Sequence, residues 1–123
     1  MKLFPSLQKR YAKERFTAVQ AQRLAQEIAF GPVVFQVSRL MLKFGIFRLL
    51  SDNREGLSLE QISQNTGLSK YATQVLLEAS LTIGTVLVKD DQYILAKAGW
   101  FLLNDEMAQV NMDFNQDVNY KGL

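Results

Sequence analysis

Asp113, Asn115 and Asp117 place oxygen-bearing side chains at alternate positions, the spacing with which a calcium loop begins. The sixth position of such a loop turns sharply and needs glycine, but Val118 stands there, and the twelfth falls past Leu123. These carboxylates therefore read as the polar side of a helix. Cysteine and histidine are both absent, which removes disulfides, a thiolate nucleophile, an imidazole base and the ordinary transition-metal ligands. Gly31, Gly45, Gly56, Gly67, Gly84, Gly99 and Gly122 stand singly, so no phosphate-cradling loop has a local signature. Chemistry would have to come from carboxylates, hydroxyls or amines, and none of these forms a recognisable set.

Charge offers a second kind of site. The net charge of +2 hides a basic start: Lys2, Lys9, Arg10, Lys13, Arg15 and Arg23 face Glu14 alone, leaving the remainder net acidic. Such a run suits phosphate backbones or anionic lipid, or it is a solvated helix face. Tyr11, Phe16 and the alanines interrupt the cluster and no second basic patch supports it, which favours the solvated face. Met1-Lys2-Leu3-Phe4-Pro5 is too short for a signal-peptide core, and the apolar stretch from Val33 to Leu50 is broken by Arg39, Lys43 and Arg48. The expectation is a soluble, cytoplasmic protein with no membrane partner.

The elements that would carry any site read as mainly α with a small β-hairpin. With 123 residues and 48% hydrophobic content the chain suits one compact domain. Its parts are N-terminal helices over residues 1–50, a winged helix-turn-helix over 51–97 and a helical segment over 98–123. A first long helix is predicted from Ser6 to about Ala29, stopped by Gly31-Pro32, with Ala18, Ala21, Ala25, Ile28 and Ala29 as a stripe of mostly small residues. Phe16 and Val19 broaden its apolar surface. A second helix follows from Pro32, apolar on nearly every side except for Gln36, Arg39 and Lys43. So short a chain has limited material to cover such a helix, which points to a subunit interface through Phe30, Val33, Val34, Val37, Leu40, Met41 and Phe44. A central core helix of a monomer is the other reading.

After one or two helical turns at Ile46–Leu50 and a polar loop, the winged motif begins. Ser58 with Gln61 makes a capping box, Gly67 suits a left-handed helix end, and Ser69 caps a helix from Lys70 to about Ile83 that Gly84 ends. Val86-Leu87-Val88 and Tyr93-Ile94-Leu95 flank a turn, Lys89-Asp90-Asp91-Gln92, and form the wing. Helical spacing turns Ala72, Val75, Leu76, Ala79 and Ile83 inward and Lys70, Gln74, Leu77 and Leu81 outward. That outer face has one cation, and the wing tip is acidic. Both suit protein contact better than a nucleic-acid duplex, where each phosphate contact favours Lys or Arg. Beyond the wing, Asn104-Asp105-Glu106 starts a helix whose apolar face is Met107, Val110, Phe114 and Val118.

Gly56-Leu57-Ser58-Leu59-Glu60-Gln61-Ile62-Ser63, Thr66-Gly67-Leu68-Ser69 and Leu95-Ala96-Lys97-Ala98-Gly99-Trp100-Phe101-Leu102 together resemble the N-terminal winged-helix dimerisation domain of a bacterial S-adenosylmethionine-dependent methyltransferase of the small-molecule O-methyltransferase type. The likeness runs from about Gln22 through Leu123, with Pro32 to Leu50 matching the family's dimer-forming element. Many transcription regulators share the helix-turn-helix part, and the Gly99-Trp100 segment with the apolar second helix tilts the choice. The resemblance implies a homodimer, and it implies that Met107, Asn111, Phe114 and Asn115 help to wall a pocket for a small-molecule methyl acceptor. S-adenosylmethionine would belong to the parent enzyme. The family's cofactor loop and general base lie in a Rossmann-like domain that would follow Leu123, so no catalytic, cofactor-binding or metal-binding residue is carried onto this truncated sequence. The alternatives are a winged-helix DNA-binding transcriptional regulator and a stand-alone adaptor.

Overall fold

A computed structural model describes residues 4–120, and of Asn119 and Tyr120 only the backbone. Most of the Met1–Pro5 segment, expected not to hold a signal-peptide core, together with Lys2 of the basic run and Gly122, lies outside the described residues. The order is α1 (Pro5–Arg10), α2 (Ala18–Lys43), α3 (Ile46–Asp52), α4 (Leu59–Thr66), α5 (Lys70–Ile83), β1 (Val86–Lys89), β2 (Gln92–Leu95), α6 (Lys97–Asn104) and α7 (Glu106–Asn115), ending in a π-helical turn, Gln116–Tyr120. The chain is mainly α with one antiparallel hairpin. The described residues divide into two compact units, one ending at Gly31 and one beginning at Pro32.

In the first unit the expected helix from Ser6 to Ala29 is two helices. α1 stops at Arg10, and α2 begins at Ala18 behind a reciprocal cap: the Thr17 amide donates to Gln20 Oε1 (3.0 Å) and the Gln20 amide to Thr17 Oγ1 (3.2 Å). This Thr-x-x-Gln box satisfies two of the amides that a helix start leaves open, and it fixes the boundary. Val19, Ile28 and Phe30 are exposed.

The stop expected at Gly31-Pro32 is also not realised, because Pro32 lies inside α2. Proline there removes the N–H that would bond the Ile28 carbonyl. Ile28 is exposed, so water can meet that carbonyl, and a Cβ at Gly31 would find nothing within 4 Å. Neither residue forces the helix to end.

The second unit holds the core. Met41, Ile46, Phe47, Leu50, Ile62, Leu76, Leu77, Val86 and Leu103 pack together, drawn from α2, α3, α4, α5, β1 and α6. The helix-turn-helix forms as its caps dictate. Ser58 Oγ accepts from the Gln61 amide (3.2 Å) while Gln61 Oε1 accepts from the Ser58 amide (2.9 Å). Gly67 and Gly84 close α4 and α5 in the left-handed conformation, and Ser69 Oγ accepts from the Ala72 amide at 3.0 Å. The hairpin pairs Val86 with Leu95 through Lys89 with Gln92, turning on Asp90 and Asp91, both at positive φ (52° and 62°). Asp tolerates that region through its short polar side chain, and the turn matches the right-handed twist of the strands.

The face of α5 differs from expectation. Thr73, Leu76, Leu77 and Ser80 are buried, whereas Val75 is 46% exposed. Leu77, expected outside, is enclosed in the core, and Leu81 is half-buried against it. Ala72, Ala79 and Ile83 are half-buried at the flank, with Lys70 and Gln74 outside as expected. Two hydroxyl side chains occupy core positions. Thr73 can do so because its Oγ1 donates to the Ser69 carbonyl at 2.8 Å, leaving no unmet polar group.

Candidate functional site

The second-unit part of α2 has two sides. Met41 is fully enclosed and Val37, Leu40 and Leu42 lean on the core, so Met41 is a core residue of the chain and offers no surface for a contact, contrary to expectation. Its position one turn from Val37 and five residues before Ile46 puts it toward α3 instead of solvent. Val33 is 59% and Phe44 38% exposed, with Val34 half-buried. The Lys43 ammonium lies 5.8 Å from the Phe44 ring centre, so the aromatic face carries a cation at its rim. Phe30, within the first unit, is 60% exposed.

A second apolar face belongs to α7. Asp105 Oδ1 accepts from the Met107 amide at 3.2 Å and starts the helix, and Gln109 Nε2 donates to the Leu103 carbonyl, tying α7 to the end of α6. Spacing then brings Met107, Val110, Asn111 and Phe114 to one side, with Met107 65% and Phe114 63% exposed. Asn115 Nδ2 donates to the Asn111 carbonyl at 2.9 Å, so the two asparagines proposed for one wall are a turn apart and joined.

The surface available to a duplex reader is α5 and the wing. Lys70, Tyr71, Gln74, Val75, Glu78 and Thr82 are exposed along α5, and Gln74 Nε2 donates to Glu78 Oε1 at 2.9 Å. Asp90 and Asp91 are exposed at the wing tip. Between α4 and the wing lies a depression of about 350 Å³ whose lining includes Glu60, Asp91 and Tyr93. Burial, and then the fields of Glu78, Asp91 and Glu60, push the Tyr93 phenol above its ordinary pKa of 10.0. This side of the motif carries carboxylates where a phosphate backbone would need cations.

Sequence reasoning missed a third feature, a cleft of about 330 Å³ that brings Arg54 and Lys97 to one opening beside Trp100. The two cations are far apart in sequence. The pairing of Leu57 with Tyr93, which folds the Asn53–Gly56 turn onto β2, and the packing of α3 against β2 and α6 bring them together.

Residues 22–93 match the Dimerisation2-like domain. The chain belongs to that family. This Dimerisation2-like chain is 34% identical over 98 residues to the L-tyrosine C(3)-methyltransferase of Streptomyces lavendulae, an alignment covering 77% of the chain and 26% of the relative. Among solved structures it is similar to the S-adenosylmethionine-dependent methyltransferase SibL, at 26% identity and a TM-score of 0.64, covering 77% of this chain and 28% of that one. LepI in complex with SAM shares the fold, at 19% identity and a TM-score of 0.66, with 93% and 28% covered. The chain thus spans about a quarter of the length of the proteins it matches. No helix among the described residues is long and apolar enough to cross a membrane.

Proposed function

We propose that this chain is the N-terminal dimer-forming and pocket-shaping part of a small-molecule, S-adenosylmethionine-dependent methyltransferase acting in the cytoplasm. The observation that carries this reading is the apolar surface of α2 left uncovered at Val33 and Phe44 in a chain of the Dimerisation2-like family. Two copies would pair through Val33, Val34, Val37, Leu40 and Phe44 of the second unit, and through Phe30 of the first, because burying such side chains removes apolar area from water. The face of α7 with exposed Met107, Asn111 and Phe114 and half-buried Asn115 would form one wall of the methyl-acceptor pocket, apolar with two amides to orient a polar substituent. S-adenosylmethionine and the reaction itself would belong to a Rossmann-like domain encoded beyond Leu123.

The methyltransferase part of this reading is tested by the reading frame after Leu123. The expected result is about two hundred further residues opening with a strand and a glycine-rich turn, whose full-length product retains isotope-labelled S-adenosylmethionine. A frame that ends without such a domain overturns it. The winged-helix regulator has less support, since Lys70 is the one cation on α5, Gln74 is bonded to Glu78 on its exposed face, and the wing tip is acidic. Duplex DNA should therefore give no retardation at low salt, where phosphate binding is strongest.

A further inference from the structure

The cleft beside Trp100 lies outside everything assigned above. Its floor is apolar, made by Leu50 of α3 and by Ile94 and Leu95 of β2, and one side is the indole of Trp100. Among the described residues its charged lining is Arg54 and Lys97. Asp52, two residues before Arg54, and Glu55, next to it, are exposed and do not line it. Neither cation has an ion pair among the described residues.

The backbone carrying these groups is pinned. Arg54 rides a turn closed by the Gly56 amide donating to the Asn53 carbonyl (2.9 Å). Asn53 Nδ2 is bonded to the Leu49 carbonyl (2.9 Å) on one flank, and Leu57 exchanges two hydrogen bonds with Tyr93 on the other (3.1 and 2.7 Å). Gly56 sits at φ +104°, and a Cβ there would lie 2.8 Å from that of Gln92, so only glycine lets the turn approach β2 this closely. On the opposite rim the Ala96 amide donates to the Thr85 carbonyl at 3.0 Å, fixing the start of α6, whose first turn presents Lys97 and Trp100. The Phe101 ring meets the indole edge-on, with centroids 5.2 Å apart.

We infer that this cleft is a binding site for a small aromatic carboxylate. The ring would lie on Leu50, Ile94 and Leu95 against the indole, where apolar area and an aromatic face are both on offer. The carboxylate would meet Arg54, whose planar fork matches its two oxygens, and Lys97 as a second positive charge. The volume holds one small ring system, at the lower end of the range of small-molecule sites, roughly 300–1,000 Å³. The sign and placement of the charge set the ligand class: an apolar pocket with an unpaired cationic rim rewards an anion over its neutral isostere.

The test uses the whole ¹⁵N-labelled chain with naphthalene-2-carboxylate and naphthalene-2-carboxamide as probes. The chain has a single tryptophan, so its indole N–H signal reports the cleft directly. The acid should give a saturable shift of that signal and of the Arg54 and Lys97 amides. The amide should bind at least about tenfold more weakly, as should the acid to the double variant Arg54→Gln/Lys97→Gln. Both changes lie on exposed side chains, and unaltered dispersion of the other resonances checks the fold. Equal titration by acid and amide on the unmodified chain, undiminished binding by the double variant, or an unmoved Trp100 signal would overturn the inference.

Discussion

Gly99 is the position at which one added methyl group should cost most. It is buried in the first turn of α6, and a Cβ there would meet the Thr85 carbonyl oxygen at 2.5 Å and Leu95 Cδ1 at 2.6 Å. The leucine end can rotate aside, but the carbonyl is backbone and already accepts the Ala96 amide at 3.0 Å, the bond that fixes the start of α6 on the hairpin. Gly99→Ala must therefore push α6 off β1 and β2 or break that bond. Overpacking of this kind costs about 1–3 kcal/mol, with about 1 kcal/mol more for a disturbed hydrogen bond. The better helix propensity of alanine returns up to about 1 kcal/mol. The expected net loss is about 2 kcal/mol, which for a chain of this size lowers Tm by roughly 6–10 °C. Urea unfolding followed by circular dichroism at 222 nm, with calorimetry for Tm, measures it. Gly31→Ala is the matched control, since a Cβ there meets nothing within 4 Å, and it should cause no loss. A Gly99→Ala chain as stable as the parent would refute the packing argument, and a loss from Gly31→Ala would show that the steric reasoning picks the wrong glycine.

Ser80 Oγ is buried and has no hydrogen-bond partner among the described residues, so Ser80→Ala should raise stability by about 1 kcal/mol in the same urea assay. Ser58→Ala should cost about 1 kcal/mol by opening the capping box, and Gln61→Ala added to it should cost little more, because the two form one reciprocal unit. Tyr93 is held neutral in the folded chain above its ordinary pKa, by burial first and by Glu78, Asp91 and Glu60 next. The unfolded phenol ionises first, so this contribution is complete below about pH 10 and is lost as pH rises through the folded value. Tyr93→Phe should accordingly flatten the fall in stability above pH 10, as read from urea midpoints at increasing pH.

Local signals in the sequence carried most of the fold. Ser58 with Gln61, Gly67, Ser69 and Gly84 mark helix ends through bonds made within a few residues, and each occurs where the residue types place it. The Thr17–Gln20 box carries the same signature, but a helix drawn from Ser6 to Ala29 on the Ala18–Ala29 stripe runs straight across it. The face of α5 was misjudged for a different reason. Choosing inward positions by apolar type alone passes over Thr73, whose hydroxyl is satisfied by its own helix and so costs nothing to bury. Gly31-Pro32 shows the converse limit, since a proline in an exposed stretch of helix leaves a carbonyl that water can satisfy. The residues expected at an interface divide on tertiary grounds that helical spacing does not contain: Met41 is taken up by the core, while Val33 and Phe44 stay outside. Arg54 and Lys97 have no local signal that pairs them, because long-range contacts, the Leu57–Tyr93 bridge and the packing of α3 on α6, bring them to one cleft.

The account turns on whether the uncovered side of α2 joins two copies of the chain. Sedimentation equilibrium of the unmodified chain and of Val33→Asp/Phe44→Asp at tens of micromolar, on the order used for stable dimers, measures this directly. The predicted result is twice the chain mass for the parent and the single-chain mass for a folded double variant, since two carboxylates would be buried unpaired at the contact. A parent chain that sediments as a monomer, or a double variant that stays dimeric, contradicts it.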